Sequence, residues 1–575
     1  MYVAVVPNRD SPPAVLLRES FREGGRVKNR TLANLSHWPG EKIAALRAVL
    51  RGDRLVPAGE GLEIVRALPF GHGAAALGLA RKIGLDRLIT GAKRQRDLIL
   101  AMIVARVIEP AAKLATARAL DEATASTALG ASLGLGSVGV HEVYDALDAL
   151  RAQQERIETA LARRHLSGAT LVLYDVTSTY LEGRCCPLAA HGYSRDGKPG
   201  KAQILFGVIC TQEGCPIAVE VFAGNTGDPS TLKVQIDKLK TRFGLADVAL
   251  VGDRGLITKA RIEEDIKPAG LAFITALRAP AIKALAEDGG PLQLTLFDER
   301  DLAEIASPDY PGERLIACRN PALAEERARK RAELIEATER DLAAIAERVR
   351  RQRNPLRGAA AISEAVGAVL NRRKMAKHFV RTITDSDFSF ARNEASIAAE
   401  AALDGIYVLR TSLPQAALDE AGVVLAYKSL AHVEQAFRSI KTVDIEVRPV
   451  FHYAGERVRA HVFLCMLAYY LEWHMRRALA PLLFEDHDRA AAKARRSSPV
   501  AKAHVSPAAK RKAQTKQTDS GLPVHSFRSL IADLATLTRN QVRFGQADVF
   551  TMLATPTDLQ QRAFDLLGLK PAAYL

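Results

Sequence analysis

Two aspartates stand at the ends of short apolar runs, where a carboxylate can do chemistry. Asp175 follows LVLY, and Asp253 follows VALVG. A carboxylate at the end of a buried strand is costly unless a cation or hydrogen bonds compensate it, so both acids are candidate ligands for a divalent cation. The carboxyl ends of strands also line the usual ligand crevice of an open α/β sheet. Each aspartate could instead cap the turn or helix that follows it, and both roles stay open here.

A third acid stands between an aromatic hydroxyl and a lysine at regular spacing. Tyr427, Glu434 and Lys441 follow one another at intervals of seven residues. Seven residues are close to two turns of an α-helix, so the spacing predicts that the three side chains share one helix face. A hydroxyl, a carboxylate and an ammonium would then project into one groove. The alternative is an ordinary amphipathic helix with a solvated polar face.

The charge balance predicts a polyanionic partner. The 575-residue chain holds 80 Lys and Arg against 65 Asp and Glu, a formal net charge of +15. Such a surplus attracts nucleic acid through phosphate contacts and counterion release. A protein with a basic tail and no nucleic-acid role would have the same balance. The length predicts several domains, and a hydrophobic content of 48% is enough to bury their cores.

Cysteine usage and hydropathy predict a soluble, cytoplasmic protein that does not enter a membrane. None of the six cysteines has the C-x-x-C spacing of zinc or redox motifs, so we interpret them as reduced thiols. The first residues lack the basic region and apolar run of a signal peptide. The most apolar later stretch, 461–483, is interrupted by charged residues, which favours a buried or amphipathic helix over a membrane span.

The chain ends have patterns of their own. Residues 1–65 alternate short β-rich runs, such as Tyr2 to Val6 and Ala14 to Leu17, with turn residues and predict a small β element. Residues 66–166 have helical periodicity, which suits a DNA-binding helix-turn-helix module or a purely structural bundle. Residues 481–575 are interpreted as a basic linker and a small C-terminal region, with 489–516 too polar to bury a core and therefore mobile.

An α/β pattern occupies residues 167–278 and returns at 403–480. Three β-rich runs come first, with a hairpin turn at Glu213-Gly214, and alternating helices and strands follow. This order predicts a mixed sheet with flanking helices. Residues 279–402 interrupt the pattern and are interpreted as an insertion domain. Its centre, Ala322 to Arg353, is rich in Glu, Arg and Ala and predicts a long solvent-facing helix or a helical hairpin.

These acids and their surroundings resemble the DDE transposases of bacterial insertion sequences, in the branch marked by a Tyr-Arg-Glu-Lys signature. The match includes Asp175, Asp253, Glu434, Tyr427 and Lys441. It extends to the segments HGYSRDGKPGKAQILFGV (191–208), AVEVFAGNTGD (218–228) and EVRPVFHYAGERVRAHVFLCMLAYYL (446–471). The resemblance covers roughly residues 165–480 and implies a ribonuclease-H-like core with an insertion before the helix that bears the third acid.

One position departs from the signature. Residue 430 is Leu where the signature Arg is expected, three residues after Tyr427. Either Lys428 or Arg438 supplies the missing charge, or this branch of the family does not need it, and these alternatives stay open here. By resemblance, Tyr427 and Lys441 would position DNA phosphates near the scissile bond. Arg254, directly after the second aspartate, completes the candidate DNA-binding set.

The resemblance implies a metal-dependent enzyme in which Asp175, Asp253 and Glu434 are both the catalytic residues and the metal ligands. Three carboxylates can hold two divalent cations about 3.5–4 Å apart, Mg²⁺ by preference and Mn²⁺ as a substitute. The expected reaction is DNA strand cleavage and strand transfer at the terminal inverted repeats of an insertion sequence. The implied partners are those repeats, target DNA and a second copy of the chain in a homodimer. The implied location is the bacterial cytoplasm, with nucleoid association when DNA is bound.

Two other functions stay open. A catalytically silent DNA-binding protein derived from a transposase would have the same charge and fold. A phosphohydrolase is suggested by Asp175-Val176-Thr177 after an apolar strand, but Thr177 stands where that motif needs a second acid.

Overall fold

The computed structural model describes residues 1–9, 11–53, 62–168, 170–287, 289–298, 300–496, 498–545 and 548–575. These residues form two compact units. The smaller unit holds Met1–Leu68, Thr538–Ala554 and Leu575, and the larger one holds Pro69–Leu537 and Thr555–Tyr574. The predicted β element 1–65 includes residues 10 and 54–61, and the predicted mobile stretch 489–516 includes residue 497. These positions lie outside the described residues.

The N-terminal part of the smaller unit is mostly β-structure. Its elements are β1 (Tyr2–Val6), β2 (Ala14–Glu23), β3 (Arg26–Asn34), α1 (Gly40–Leu50) and β4 (Leu62–Pro69). The first three strands form an antiparallel sheet in the order β1-β2-β3. Gly24 and Gly25 join β2 to β3 with φ values of 60° and 78°, as a two-residue hairpin turn requires. The predicted strand Tyr2–Val6 is confirmed, and Ala14–Leu17 begins a longer strand.

A helical region opens the larger unit, as its periodicity predicts. The helices are α2 (Gly71–Lys82), α3 (Lys93–Ile108), α4 (Lys113–Leu120), α5 (Leu129–Ser132), α6 (Val140–Ala152) and α7 (Gln154–His165). Every residue of α3 from Leu98 to Ile108 is buried, because this helix packs against α2, α4, α5 and α6. The region therefore shares a core with its neighbours and is not a set of separate helices.

The first part of the predicted core alternates strands and helices. It contains β5 (Leu171–Tyr180), β6 (Gln203–Cys210), β7 (Pro216–Ala223), α8 (Leu232–Asp237), β8 (Ala249–Val251), α9 (Lys259–Arg261) and β9 (Ala272–Ala276). β6 and β7 pair antiparallel around the predicted Glu213-Gly214 turn, which confirms the hairpin. Apolar side chains fill both faces of β5 and β6, as burial between helix layers requires.

The segment predicted as an insertion, 279–402, contains two different parts. Its elements, with the strand that follows, are α10 (Ala279–Leu285), β10 (Leu302–Ile305), β11 (Arg314–Arg319), α11 (Pro321–Arg350), α12 (Ala359–Arg373), β12 (Phe379–Ile383), β13 (Phe388–Arg392), α13 (Glu394–Ala401) and β14 (Ile406–Thr411). The long helix predicted within Ala322–Arg353 is confirmed as α11. α11, α12, β12 and β13 share an apolar cluster of their own. At the base of this part, the Asn320 N–H donates to the Gly405 carbonyl at 2.9 Å.

The rest of the chain is mainly helical. Its elements are α14 (Glu420–Lys428), α15 (Leu430–Arg438), α16 (Gly455–Leu479), α17 (Arg489–Ala494), α18 (Pro507–Thr515), α19 (Phe527–Ala535), β15 (Thr538–Phe544), β16 (Phe550–Leu553) and α20 (Asp558–Leu567). β15 and β16 join β4 in a second small sheet. α16 is buried over most of its length, as its apolar sequence predicts. Among the described residues, no helix is long and apolar enough to cross a membrane.

The prediction that residues 489–516 do not pack is wrong for α18. Lys512 is 2% exposed, and its ammonium donates to the carbonyls of Ala480, Leu483 and Glu485 at 2.8, 2.8 and 2.9 Å. These carbonyls lie at and just beyond the end of α16, where orphaned acceptors need donors. A lysine that caps a helix in this way is buried by its hydrogen bonds, which composition does not reveal.

One mixed sheet of eight strands runs through the larger unit in the order β10-β11-β14-β9-β8-β5-β6-β7. β5, β8 and β9 are mutually parallel, and the other neighbours are antiparallel. The predicted mixed α/β core is therefore confirmed. β10 and β11 come from the segment predicted as an insertion, yet they extend this sheet, because β11 pairs with β14 along its whole length.

Candidate active site

The parallel pairing of β5 and β8 brings the two aspartates to the same level. Leu173 lies opposite Val251, and each aspartate follows two positions later in its own strand or loop. Adjacent strands lie about 4.8 Å apart, so the two carboxylates emerge side by side at the carboxyl end of the parallel strands. This is the crevice position that the sequence predicts for both acids.

Asp175 carries the least favourable charge of the candidate acids. The pKa of its carboxyl is raised to about 7, chiefly by burial and also by the charges of Asp253 and Glu434, while the Val176 N–H and the Arg195 charge oppose the shift. Its Oδ1 accepts a hydrogen bond from the Val176 N–H at 2.8 Å. Since both other acids influence this pKa, the three carboxylates share one electrostatic environment.

Asp253 has the capping role that its position allows. Its Oδ1 accepts hydrogen bonds from the N–H groups of Gly255 and Leu256 at 3.0 and 2.7 Å, which fixes the turn after β8. The residue is exposed, and these two hydrogen bonds engage a single carboxylate oxygen. The cap therefore orients the carboxylate. Both hydrogen bonds end on Oδ1, and no backbone N–H of the described residues donates to Oδ2.

The predicted single helix with Tyr427, Glu434 and Lys441 is divided into three pieces. α14 ends at Lys428, α15 begins at Leu430, and a wider π-helical turn covers Ser439–Val443. α15 packs on β5 through Val433, Ala436 and Phe437, whereas Glu434 on the same helix is exposed. The uniform two-turn spacing predicted from the sequence is wrong in this detail.

Tyr427 lies near all three acids despite the break. Burial raises the pKa of its hydroxyl to about 12, and the charges of Asp253, Asp175 and Glu434 act in the same direction, while the Arg254 charge opposes them. A neutral hydroxyl beside three carboxylates is a hydrogen-bond donor at every physiological pH. The sequence prediction that Tyr427 joins the acids agrees with this environment.

Lys441 reaches the same strand but is already paired. Its ammonium lies 2.6 Å from Asp196 and 3.3 Å from the Thr177 hydroxyl. Thr177 follows Asp175 by two positions in β5, so both side chains are on one face of the sheet. The side chains of Lys441 and Asp196 are only 11% and 8% exposed. The lysine therefore belongs to the acid crevice, with its charge largely neutralised.

Comparison with known proteins identifies the family. The family model described as "Transposase DDE domain" matches residues 167–471, more than half of the chain. The chain belongs to the DDE transposases. The model described as "IS1634 family transposase, N-terminal domain" matches residues 4–56. No curated protein matches the sequence. The mixed sheet of the larger unit is accordingly the ribonuclease-H-like core of a transposase, an enzyme that acts on DNA and requires divalent cations.

The donor chemistry of the three acids suits divalent cations. The oxygens of Asp175, Asp253 and Glu434 do not all come within 4.8 Å of one another, a limit that one other trio of potential ligands meets among the described residues. Ions about 3.5–4 Å apart can be shared by carboxylates that are themselves farther apart. A partly buried carboxylate with a raised pKa and two acidic neighbours is stabilised by added positive charge. The donor set therefore fits divalent cations that prefer oxygen.

The cations predicted to replace the signature Arg have different surroundings in this transposase. Lys428 donates to the carbonyls of Pro499, Val500 and Ala501 at 2.7, 2.5 and 2.9 Å, so all three of its N–H donors are used. Arg254 and Arg438 are exposed, and Arg254 is near enough to lower the pKa of Tyr427. The expectation that Lys428 supplies a charge to DNA conflicts with its engaged ammonium, and the two arginines are better placed.

Sequence reasoning missed Asp196, in the loop before β6. For Arg195 in the same loop, the sequence leaves open a DNA contact near the active site or an ordinary exposed position. Asp196 pairs with Lys441, and Arg195 pairs with Asp228 and lowers the pKa of Asp175. Arg195 and Asp228 also line a groove of about 450 Å³, together with Tyr193, Gly255 and Arg278 among others. The available signal was an Asp and an Arg side by side in a loop between two core strands, but no spacing rule links that loop to position 441.

Proposed function

We propose that this transposase cuts and joins DNA strands at the terminal inverted repeats of an insertion sequence, with Asp175, Asp253 and Glu434 holding the divalent cations. One observation carries the proposal. The pKa of Asp175 is raised by burial and by the charges of both other acids, although residues 175, 253 and 434 are far apart in the chain. Negative charge concentrated on three carboxylates favours cation binding, and among the described residues no lysine or arginine side chain is hydrogen-bonded to any of them.

Mg²⁺ is the preferred cation and Mn²⁺ its substitute, because all the donors are carboxylate oxygens. We propose two ions per site, because three carboxylates can hold a pair of divalent cations about 3.5–4 Å apart. When bound, the cations supply activation of the attacking hydroxyl and charge stabilisation of the leaving oxygen in an in-line displacement at phosphorus. Asp253 is pre-oriented by its two backbone hydrogen bonds, and the packing of α15 on β5 holds the helix that carries Glu434.

The neighbouring donors are suited to hold the DNA backbone. Tyr427 offers a neutral hydroxyl, and Lys441 offers an ammonium that Asp196 keeps in place until a phosphate competes for it. Arg254 and Arg438 are exposed cations on the elements that bear two of the acids. The groove with Arg195 and Arg278 extends from the turn after Asp253 and has the charge to take a DNA strand.

Roles for the other regions follow from the same proposal. The N-terminal unit and the helical region 66–166 would bind the element's ends, and the insertion 279–402 would contact DNA or a second copy of the chain. Holding two ends and a target requires a homodimer in the DNA complex. Excess positive charge, 80 basic against 65 acidic residues, supports this extended contact with DNA.

The test is a gel assay of cleavage and strand transfer on the DNA that flanks the reading frame. Asp175→Asn, Asp253→Asn and Glu434→Gln should each lower the Mg²⁺-dependent rate at least about a thousandfold, corresponding to about 4 kcal/mol, while DNA affinity stays within a few-fold. Asp237→Asn, an exposed aspartate of α8, is the matched control and should keep full activity. An active Glu434→Gln enzyme would remove that residue from the site. A wild-type protein that binds these ends without cutting them would favour the silent DNA-binding function.

A further inference from the structure

A second cluster of potential metal ligands lies where three elements of the larger unit meet. His165 ends α7, Cys215 directly precedes β7, and His474 lies in α16. One ligand atom from each of the three side chains lies within 4.8 Å of the other two. None of the three belongs to the acid crevice, and their positions in the chain do not follow the C-x-x-C or His-pair spacing of common metal motifs.

Both histidines are neutral and ready to donate a lone pair. Burial lowers the pKa of His474 to about 4, and burial also lowers the pKa of His165. The Nε2 atom of His474 is buried and has no hydrogen-bond partner among the described residues. A buried ring nitrogen without a partner is costly, and a metal ion is one way to satisfy it. The His165 ring accepts or donates a hydrogen bond with the Tyr470 hydroxyl at 2.9 Å.

Cys215 supplies a softer donor. The residue is 1% exposed, and burial raises the pKa of its thiol while the charges of Arg477 and Arg164 oppose the shift. Without a metal the sulfur is therefore protonated. The two guanidinium groups favour the thiolate that a metal requires, and the thiolate in turn offsets their repulsion of a cation.

We propose that His165, Cys215 and His474 form a structural site for one thiolate- and imidazole-preferring divalent cation, Zn²⁺ above all. Such ions bind nitrogen at about 2.0–2.1 Å and sulfur at about 2.3 Å in tetrahedral geometry, so the three side chains need only a small inward shift. On binding, the Cys215 S–H bond breaks, its proton leaves to solvent, and a sulfur–metal bond forms with no change of oxidation state. The fourth position is open to water or to the Tyr470 hydroxyl beside His165.

The site would fix the turn that supports the helix with the third acid. Gly214 has a φ of 86°, and a Cβ there would lie 2.7 Å from the Cβ of His432. The His432 ring is hydrogen-bonded to the Gln212 carbonyl at 2.8 Å, and the Trp473 indole donates to the Glu213 carbonyl at 3.3 Å. Residues 212–215 thus connect α16 to α15, and His432 stands two positions before Glu434. A metal at Cys215 would stiffen this connection.

The experiment uses the purified full-length protein, stripped with chelator and then titrated with Co²⁺ and Zn²⁺. We expect one equivalent of Co²⁺ to produce the thiolate-to-cobalt charge-transfer band, Zn²⁺ to displace it, and one Zn²⁺ per chain to raise the melting temperature. Cys215→Ser and His474→Gln should lose the band and the thermal shift. Cys318→Ser, a buried cysteine of β11 in the same sheet, should keep both.

The acid crevice is excluded as the source of the signal by Asp175→Asn, which should keep the band. If wild-type protein shows no charge-transfer band, or if Cys215→Ser keeps it, the proposed site does not exist. Metal-free melting temperatures distinguish misfolding from ligand loss. A His474→Gln protein that melts like metal-free wild type and still binds zinc with wild-type affinity also overturns the assignment.

Discussion

Two clusters of three carboxylates among the described residues of the larger unit differ in how their negative charge is compensated. In one, Glu472, Asp444 and Glu485 surround Arg476, which contacts all three. In the other, Asp175, Asp253 and Glu434 influence one another with no cationic side chain in hydrogen-bond contact with any of them among the described residues. Each carboxylate of the first cluster is paired with a cation, whereas the carboxylates of the second cluster have oxygens that can still accept one. A structural cluster of carboxylates therefore differs from a candidate metal site in whether a cationic side chain neutralises the acids, and not in the number of acids.

Removing the Arg476 guanidinium should cause the largest loss in the free energy of unfolding, because it turns the compensated cluster into an uncompensated one. Arg476→Met leaves Glu472 and Asp444, which are 0% and 3% exposed, without their cation. An uncompensated buried charge of this kind costs about 3–5 kcal/mol. Denaturant unfolding monitored by circular dichroism measures the loss. Arg372→Met, which removes an arginine 64% exposed in a surface ion pair with Asp341, is the control and should change stability little. Equal effects of the two changes would contradict the distinction.

Lys113 is a buried cation that has no carboxylate partner in the described part of the chain, in contrast to Arg476. Lys113 is 4% exposed, and its ammonium lies 3.1 Å from Nδ1 of His461. Its pKa is lowered from 10.5 to about 7, chiefly by burial and also by the Arg106 charge, while Cys465 opposes the shift. Between these two values the unfolded chain binds a proton that the folded chain lacks, so this group makes the free energy of unfolding rise with pH.

Lys113→Met should remove that dependence. We expect the mutant to exceed wild type in stability most at pH 7 and to lose this advantage steadily as the pH approaches 10, because the neutral amine of wild type no longer carries the penalty. Unfolding in denaturant at half-unit steps of pH gives the difference curve. Lys82→Met, which removes an exposed lysine whose ammonium donates to the Leu567 carbonyl, tests for a general effect of losing an ammonium. A flat difference curve for Lys113→Met would show that its ammonium is not destabilised.

Divalent cations should stabilise the acid crevice and leave the Arg476 cluster unaffected. At a Mg²⁺ concentration a hundred times the dissociation constant, binding adds about 2.7 kcal/mol to the free energy of unfolding. Asp175→Asn should abolish this gain and should itself be slightly more stable than metal-free wild type, because the raised pKa marks an unfavourable charge. Thermal scans with and without Mg²⁺ measure both changes. A gain that survives in Asp175→Asn would place the cation elsewhere.

The smallest effect concerns the paired lysine. Asp196→Asn should release the Lys441 ammonium, tighten DNA binding and steepen its salt dependence by up to about one ion, while Lys441→Ala should weaken binding and make the slope shallower. Fluorescence anisotropy over a salt series measures both. If Asp196→Asn weakens binding, the aspartate serves to position the lysine and does not restrain it.

The sequence alone predicts the parts of the fold and site that depend on local pattern. The position of Asp253 just after β8, the Glu213-Gly214 hairpin and the long charged helix α11 all follow from apolar periodicity and turn residues. These features are set within about ten residues of chain, where period and turn chemistry dominate. Asp175 does not end its strand as predicted, because β5 continues to Tyr180 by pairing with β6. The mixed sheet follows from the order of the elements.

The remaining features depend on contacts between distant residues. The break at Ser429 and the capture of Lys428 by carbonyls at 499–501 need the C-terminal region in place. The pairing of β11 with β14 joins strands separated by an 86-residue excursion, and Lys512 is buried only because α16 ends beside it. No periodicity in the sequence encodes such partners, so composition suggested a separate insertion and a mobile tail.

The hydrogen bond between Asn320 and Gly405 makes the residues between them a detour that departs and rejoins at one point. Because this segment has an apolar cluster of its own, it can be replaced by another domain without a change in the eight-stranded sheet. A cut at 279–402 would take away the strand beside β14, whereas a cut at 321–404 bridged by a short linker would spare it. The connection at Asn320 and Gly405 is thus the point at which one inserted domain can be exchanged for another, in evolution or by protein engineering.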